Sequence, residues 1–218
     1  VTAISVVFCS RGRPESLRRA IGSLFACAVE PGEIEFVIGV DPDDEATHGA
    51  ARQCAHKIWT APERYGYHRL HDYLNVLAKM AAGDWLAWFN DDMVMQTIGW
   101  DVVVREHRPA VLWPAANHVH HANIAPVWPR AWSDATGHAS PTSHMDTYLQ
   151  WLGESLGRHD RIPVEIVHDR ADVTGGHDDA TYAEGRGLLG SEGMVPGFDG
   201  AALREQIAID ARVIGGLL

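Results

Sequence analysis

Gly83-Asp84-Trp85-Leu86-Ala87-Trp88-Phe89-Asn90-Asp91-Asp92-Met93 places four large apolar residues, Trp85, Leu86, Trp88 and Phe89, directly before two adjacent carboxylates. A short apolar run bounded by Gly and by Asn-Asp reads as a buried strand. Its polar end has two readings. Asn and Asp suit turns and helix starts. Two carboxylates at a strand end also repel each other unless a cation or hydrogen-bond donors balance them. Oxygen ligands of that kind suit Mg²⁺ or Mn²⁺, which commonly take one or two carboxylates and complete their shell with phosphate oxygens.

The segments before this strand alternate in period. Ile4–Cys9 is a β-branched strand, broken by Arg11-Gly12-Arg13, and Pro14 then suits a first helical turn. Leu17, Ile21, Leu24 and Phe25 follow at helical spacing up to Pro31-Gly32. Glu35–Val40 predicts a second strand, stopped by Asp41-Pro42-Asp43-Asp44, then a helix around 44–54 and a third strand at Lys57–Trp59. Leu70, Leu74, Leu77, Ala78 and Ala81 predict the next helix, with Gly83 as its stop. Strand and helix alternating over short links predict an α/β fold, a mostly parallel central sheet with helices on both faces. Ligands of such sheets bind beyond the carboxyl ends of the strands, where strand order reverses. Ser10-Arg11-Gly12-Arg13, Asp41-Pro42-Asp43-Asp44 and Asn90-Asp91-Asp92 all fall at that edge.

The second half is less regular. A helix is expected over 101–107, a strand at Val111–Trp113, and loop over 114–142. A helix starting near Ser143 carries Tyr148, Leu149 and Leu152. Ile162–His168 reads as a late strand whose Pro163 suits an edge or a strand start. Residues 172–200, rich in Gly and Asp, have the composition of a mobile segment, and 200–217 predicts a packing helix. With 218 residues and no repeat or linker, one domain is the expectation.

Composition sets bounds. A formal charge of −11 argues against a broad nucleic-acid surface, which needs clustered Lys and Arg. Cys9, Cys27 and Cys54 have no disulfide or zinc spacing and read as reduced core thiols. No run approaches transmembrane length and the N-terminus has no signal-peptide pattern, so a cytoplasmic protein is the expectation.

The order of these features resembles the inverting glycosyltransferases of family 2, whose fold is the Rossmann-like GT-A type. The resemblance rests on strand 1, then Ser10-Arg11-Gly12-Arg13-Pro14-Glu15, a helix, strand 2 ending in Asp41, and Gly83-Asp84-x-Leu86-x-x-Phe89-Asn90-Asp91-Asp92. It covers roughly residues 3–104 well and the remainder loosely. It implies a nucleotide-sugar-binding half over 1–104 and an acceptor-binding half with a C-terminal helix over 105–218. It implies a nucleotide-diphosphate sugar donor, a hydroxyl acceptor, and a Mn²⁺ or Mg²⁺ cofactor held by a D-x-D signature.

Carried over by residue, the resemblance puts Asp41 on the nucleotide base, Asn90 and Asp92 at the outer positions of D-x-D, and Asp92 on the metal. Asn90 departs from the pattern by carrying no charge, which makes Asp91 a second possible ligand. Ser10, Arg11 and Arg13 would face the nucleotide, since a guanidinium grips phosphate or stacks on a base. Gly66, Arg69 and Asn75, with Arg64 nearby, match a looser donor-site pattern. The catalytic base would be Asp146, with Glu154 and Asp134 as weaker candidates. Ser143-x-x-Asp146 also reads as a capping box, which would leave Asp146 a structural role.

His168 would complete the metal shell or be an ordinary hydrogen-bonded strand histidine. Asp178 and Asp179 are further candidates for the metal or the acceptor. His118, His120 and His121 read as a polar loop on the acceptor side. Trp113, Trp128, Trp132 and Trp151 read mostly as core. A nucleotidyltransferase would share the sheet and metal but normally carries a Gly-rich basic loop after strand 1. A non-catalytic nucleotide-sugar binding module is the other alternative.

Overall fold

A computed structural model describes residues 2–118, 122–175, 179–189 and 198–218. The chain forms an α/β fold around an eight-stranded sheet of order β3-β2-β1-β4-β7-β6-β8-β5. Strands β1 (Ile4–Ser10), β2 (Ile34–Val40), β3 (Lys57–Thr60) and β4 (Trp85–Trp88) alternate with helices α1 (Pro14–Cys27), α2 (Glu45–Cys54) and α3 (Leu70–Met80). Strand β1 pairs in parallel with both β2 and β4, and β2 with β3. The chain therefore steps outward from β1 through β2 to β3 and returns to the other side of β1 as β4. That reversal opens a crevice beyond the ends of β1 and β4.

The remaining elements are β5 (Met93–Met95), α4 (Trp100–Arg105), β6 (Val111–Ala116), β7 (Val127–Pro129), α5 (Arg130–Thr136), α6 (Met145–Ser155), β8 (His159–His168), α7 (Ala171–Thr174), α8 (Ala180–Leu189) and α9 (Gly200–Gly215). Strand β7 is antiparallel to β4 and β6, β8 runs parallel to β6, and β5 returns antiparallel to β8. The sheet is mostly parallel, and each of its antiparallel pairings involves β7 or β8.

Side chains alternate across the strands and build two apolar layers. Ile4, Val6 and Phe8 of β1 face Leu17, Ala20, Ile21 and Leu24 of α1, with α2 and α4 on the same side. Val7 of β1, Leu86 and Trp88 of β4 face Leu74 and Leu77 of α3, with α5, α6 and α9 alongside. The three cysteines are free thiols. Among the described residues no helix is long and apolar enough to cross a membrane.

Several sequence expectations change. The loop expected over 114–142 contains β7 and α5; the register against β4 and β6 makes a strand of only three residues. Within 172–200 the described residues include most of α7 and all of α8, while 176–178 and 190–197 lie outside the described residues. Pro163 does not start its strand, but it lies on a stretch of β8 that β5, paired only over Ile166–His168, leaves uncovered, as the edge reading expects. It falls where the β6–β8 register shifts, between the pairs Trp113–Arg161 and Ala115–Glu165, and a bulge tolerates a residue without an N–H. Gly83 is not the stop of α3, which ends at Met80 with Ala81 already extended. A Cβ on Gly83 would lie 2.6 Å from the Ser5 backbone nitrogen, so glycine is required there for close approach to β1.

Candidate functional site

The turn reading of Asn90-Asp91-Asp92 holds, and the helix start does not. The Asn90 carbonyl accepts from the Met93 N–H at 3.1 Å, so the segment is a tight turn from β4 into β5 and starts no helix. An ordinary turn would leave its carboxylates in water, yet Asp91 and Asp92 are 5% and 3% exposed. The turn delivers two carboxylates into the crevice.

The crevice is a cleft of about 450 Å³, within the usual range of small-molecule sites. Of the candidate residues, Ser10, Arg11, Arg13, Asp41, Asn90, Asp91, Asp92, Asp146 and His168 line it. They come from the ends of β1, β2, β4 and β8 and the first turn of α6. Arg69 lies outside this lining; its guanidinium pairs with Asp72 at 2.7 Å and Glu63 at 3.3 Å and stacks over Tyr65. Asn75 also lies outside it and fastens the chain near Ser140, accepting from the Ala139 and Ser140 N–H groups at 2.8 and 3.0 Å.

At the base of the cleft Arg13 gathers the acids. Its Nη1 donates to Asp91 Oδ1 at 3.1 Å and lies 3.7 Å from Asp92 Oδ2. Ser10 donates to Asp91 Oδ2 at 2.7 Å, tying the ends of β1 and β4 together. Burial is nevertheless the dominant influence on Asp91. It outweighs Arg13 and Ser10 and, with the charge of Asp92 added, pushes the Asp91 pKa up to about 6. Burial also works against Asp92, but His168 beside it and the Tyr182 hydroxyl hold its pKa below the usual carboxylate range.

Asp92 and His168 meet because β5 and β8 pair with Met93 opposite His168. Asp92 Oδ1 and His168 Nε2 are 3.2 Å apart, but Oδ1 is buried with no aligned hydrogen bond among the described residues. Two atoms bound at 2.0–2.1 Å to adjacent positions of one octahedral ion lie about 3 Å apart and point at a common third point rather than at each other. The 3.2 Å separation meets the distance part of that requirement. Among the described residues no cluster of three or more His, Cys, Asp or Glu side chains forms a metal cage. Two such side chains would leave the rest of a shell to water or phosphate, as Mg²⁺ and Mn²⁺ accept.

At the β2 end, Asp41 is 5% exposed. It accepts from Arg11 Nη1 at 2.8 Å and from the Tyr73 hydroxyl. Arg11 also grips Asp43 through two nitrogens at 2.6 and 2.9 Å, which brings the exposed Asp43 down to about 2. Asp44 is the helix cap of this loop, accepting from the Thr47 N–H at 3.1 Å.

Asp146 sits in the first turn of α6, which begins at Met145 after His144. The capping box does not form: Ser143 gives its hydroxyl to the His68 carbonyl, and among the described residues Asp146 accepts from Thr147, at 2.7 Å from its N–H. Burial raises the Tyr67 pKa, and Asp146 and Asp92 both add to the rise, placing the Tyr67 phenol within the field of both carboxylates. Glu154 and Asp134 lie outside the lining, paired with Gln150 and Arg130 respectively.

Of the three loop histidines, His118 lies with its ring centroid 5.3 Å from that of His168, while His120 and His121 fall outside the described residues, as does Asp178. Trp128 and Trp132 are core; Trp113 stacks between His159 and Arg161, and Trp151 lies beneath Arg204.

Residues that sequence reasoning gave no role in this site complete the cleft. Tyr67, Tyr73, Arg170, Tyr182 and Glu184 line it, from α3, α8 and the segments beside α3 and α7. Arg64, noted only as a neighbour of Arg69, lies 4.0 Å from Asp41 and pairs with Glu184. No local pattern marks them, because they come from separate elements, and Tyr182 and Glu184 reach the cleft through the packing of α8 on the turn before α3.

No protein family and no curated protein matches the chain by sequence. Solved structures do match its shape. The mannosyltransferase PcManGT from Pyrobaculum calidifontis, in complex with GDP-Man and Mn²⁺, aligns at TM-score 0.59 with 14% identity, over 77% of this chain and 57% of that one. TarS 1–349 from S. aureus aligns at 0.59 with 13% identity, over 97% and 71%, and its complex with UDP-GlcNAc at 0.58 with 14%, over 97% and 72%. The chain thus spans little more than half of the mannosyltransferase. At these identities the likeness establishes the fold.

Proposed function

We propose that the chain is a glycosyltransferase that moves a sugar from a nucleotide-diphosphate donor to an acceptor hydroxyl, with a divalent metal and with inversion. The observation that carries this reading is the cleft at the strand-order reversal. It gathers Asp41, Arg13, Asp92 with His168, and Asp146 around one volume of about 450 Å³. The solved structures sharing the fold support it, since they hold GDP-Man with Mn²⁺ or UDP-GlcNAc.

In this reading residues 1–104 hold the donor, 105–218 form the acceptor side, and the whole is one domain. Asp41, with Arg11, receives the base, because a buried carboxylate accepts N–H groups of a lactam or imide edge. Asn90 offers an uncharged hydrogen-bonding group to a ribose or sugar hydroxyl. Arg13, held by Asp91 and Asp179, places its charge beside the diphosphate. Asp92 and His168 would hold Mn²⁺ or Mg²⁺, which when bound neutralises the diphosphate as it departs. Asp146 takes the proton of the acceptor hydroxyl as its oxygen bonds to the anomeric carbon. The bond from that carbon to the diphosphate oxygen breaks in the same displacement, and the nucleoside diphosphate leaves with the electron pair. One base and one displacement invert the centre. The acidic surface makes a small or neutral acceptor a better fit than a nucleic acid.

The test is thermal unfolding with UDP, GDP, CMP, dTDP and ADP, each with and without Mn²⁺. A ligand at about 100 times its Kd adds about 2.7 kcal/mol, roughly 5–10 °C for a chain of this size. The expected result is a shift with one nucleotide that needs Mn²⁺ and disappears in Asp92→Ala. Asp146→Asn should keep that shift and lose release of the nucleoside diphosphate from the matching sugar donor. A binding module would be indifferent to Asp146→Asn, and no shift with any nucleotide would remove the reading.

A further inference from the structure

Helix α8 enters the cleft, and its contacts reach Arg13, Arg64, Tyr67 and the Asp92 carboxylate. Asp179, just before α8, accepts from Arg13 Nε at 2.5 Å and Nη2 at 2.7 Å, the two-pronged grip a guanidinium gives an oxyanion. That grip anchors the start of the helix. Three residues on, Tyr182 donates its hydroxyl to Asp92 Oδ2, and its ring carries the Arg13 guanidinium 4.6 Å from its centroid. Glu184 pairs with Arg64, and Gly185 lies against the Tyr67 ring.

The consequence for Asp92 is directional. One oxygen, Oδ2, is held by Tyr182 and lies 3.7 Å from Arg13. The other, Oδ1, is buried and turned toward His168 Nε2 with no aligned hydrogen bond among the described residues. We infer that Tyr182 is a positioning residue for a divalent ion: by fixing Oδ2 it presents Oδ1, together with His168 Nε2, as a ready pair of ligands. Without the phenol the carboxylate can rotate about χ2 and satisfy Oδ1 elsewhere, so the pair has to be reassembled whenever an ion arrives. Partners of this kind, one bond removed from the ligand, commonly alter metal affinity 10-fold or more. The inference rests on the donor-site reading for the identity of Asp92 and His168 as ligands, and adds Tyr182 and its anchor Asp179.

The test is calorimetric titration of the full chain with MnCl₂ alone, in wild type, Tyr182→Phe, Asp179→Asn and Asp92→Ala. Phe keeps the ring beneath Arg13 and removes only the hydroxyl, so its thermal midpoint without metal serves as the check on folding. The expected result is Mn²⁺ binding to wild type, none to Asp92→Ala, a roughly 10-fold weaker Kd in Tyr182→Phe and a smaller loss in Asp179→Asn. Binding that is unchanged or tighter in Tyr182→Phe, with Asp92→Ala still inactive, overturns the positioning role and leaves the metal site standing. Absence of binding to wild type overturns both.

Discussion

Asp91 is a carboxylate whose ionisation the fold opposes, and this makes Asp91→Asn a sharp experiment. Its pKa is pushed up to about 6 in the folded chain, chiefly by burial, against 3.8 for a free aspartate. The folded state therefore holds the proton more tightly than the unfolded state. Stability is greatest when Asp91 is protonated and falls as pH rises through the window between those values. Two units at 1.36 kcal/mol each give a penalty of about 3 kcal/mol at pH 8, most of it developing above pH 4. Asparagine keeps the shape and has no such ionisation. It loses one accepted bond, from Ser10 or from Arg13, but that loss is nearly the same at every pH.

The informative quantity is thus the difference between variant and wild type as a function of pH. From pH 4 to pH 8 it should move in favour of Asp91→Asn by about 2–3 kcal/mol, or roughly 5–10 °C in Tm for a chain of this length. Thermal unfolding in the presence of EDTA, at half-unit steps of pH, measures it without interference from divalent ions. Parallel curves for the two proteins would show that Asp91 ionises as easily inside as outside, and the account of the buried acid would fall.

Other changes test separate parts of the structure. Gly83→Ala drives a methyl to 2.6 Å from the Ser5 nitrogen and 2.8 Å from the Ile4 carbonyl carbon, both backbone atoms of the central strand. Overpacking of this kind costs typically 1–3 kcal/mol, so chemical denaturation should show at least the upper end of that range, and a wild-type midpoint would contradict the close approach. Asp210, buried, accepts from Tyr148 at 2.8 Å and Gln206 at 3.0 Å and lies 3.1 Å from His138. Burial opposes its charge, but those partners, His138 first, hold its pKa below the ordinary value. Its contribution is therefore present above pH 4 and lost as pH falls through the folded pKa, so Asp210→Asn should destabilise at pH 7 far more than at pH 3. Arg69→Gln should leave the nucleotide-dependent thermal shift unchanged, because Arg69 is engaged with Glu63, Asp72 and Tyr65 outside the cleft lining; loss of the shift would place it back in the donor site.

The first four strands were legible because each is a short apolar run whose end carries Gly, Pro or Asp, and the helices α1 and α3 between them bury apolar stripes such as Leu74, Leu77 and Ala78. The polar ends were legible for the same reason: in a parallel sheet every strand ends at the same edge, so Ser10, Asp41 and Asn90 had to arrive together. Strands β5 and β7 were not legible. Three residues have no period, and Val127–Pro129 exists only because β4 and β6 offer edges on either side of it. The Ser143–Asp146 capping pattern was legible and incorrect, since tertiary contact with His68 diverts the serine hydroxyl. Tyr182 carried no signal at all. A tyrosine in a Gly-rich stretch is unremarkable until α8 lies across the cleft and brings its hydroxyl to Asp92.

The pairing of β5 with β8 has a consequence for how this sequence can drift. Asp92 and His168 are distant along the chain, and their meeting depends on Met93 standing opposite His168. Along β8 the inward positions alternate, with Ile162, Val164, Ile166 and His168 buried between exposed or half-buried neighbours. A single inserted or deleted residue between Ile162 and His168 would preserve composition, charge and even β-propensity, yet turn the imidazole to the opposite face. Length variation should therefore be purged from this strand far more strictly than amino-acid replacement, whereas the mostly exposed 106–109 connection can lengthen without shifting the β5–β8 register. In a library of one-residue insertions and deletions, Mn²⁺ binding should survive at that connection and vanish within β8.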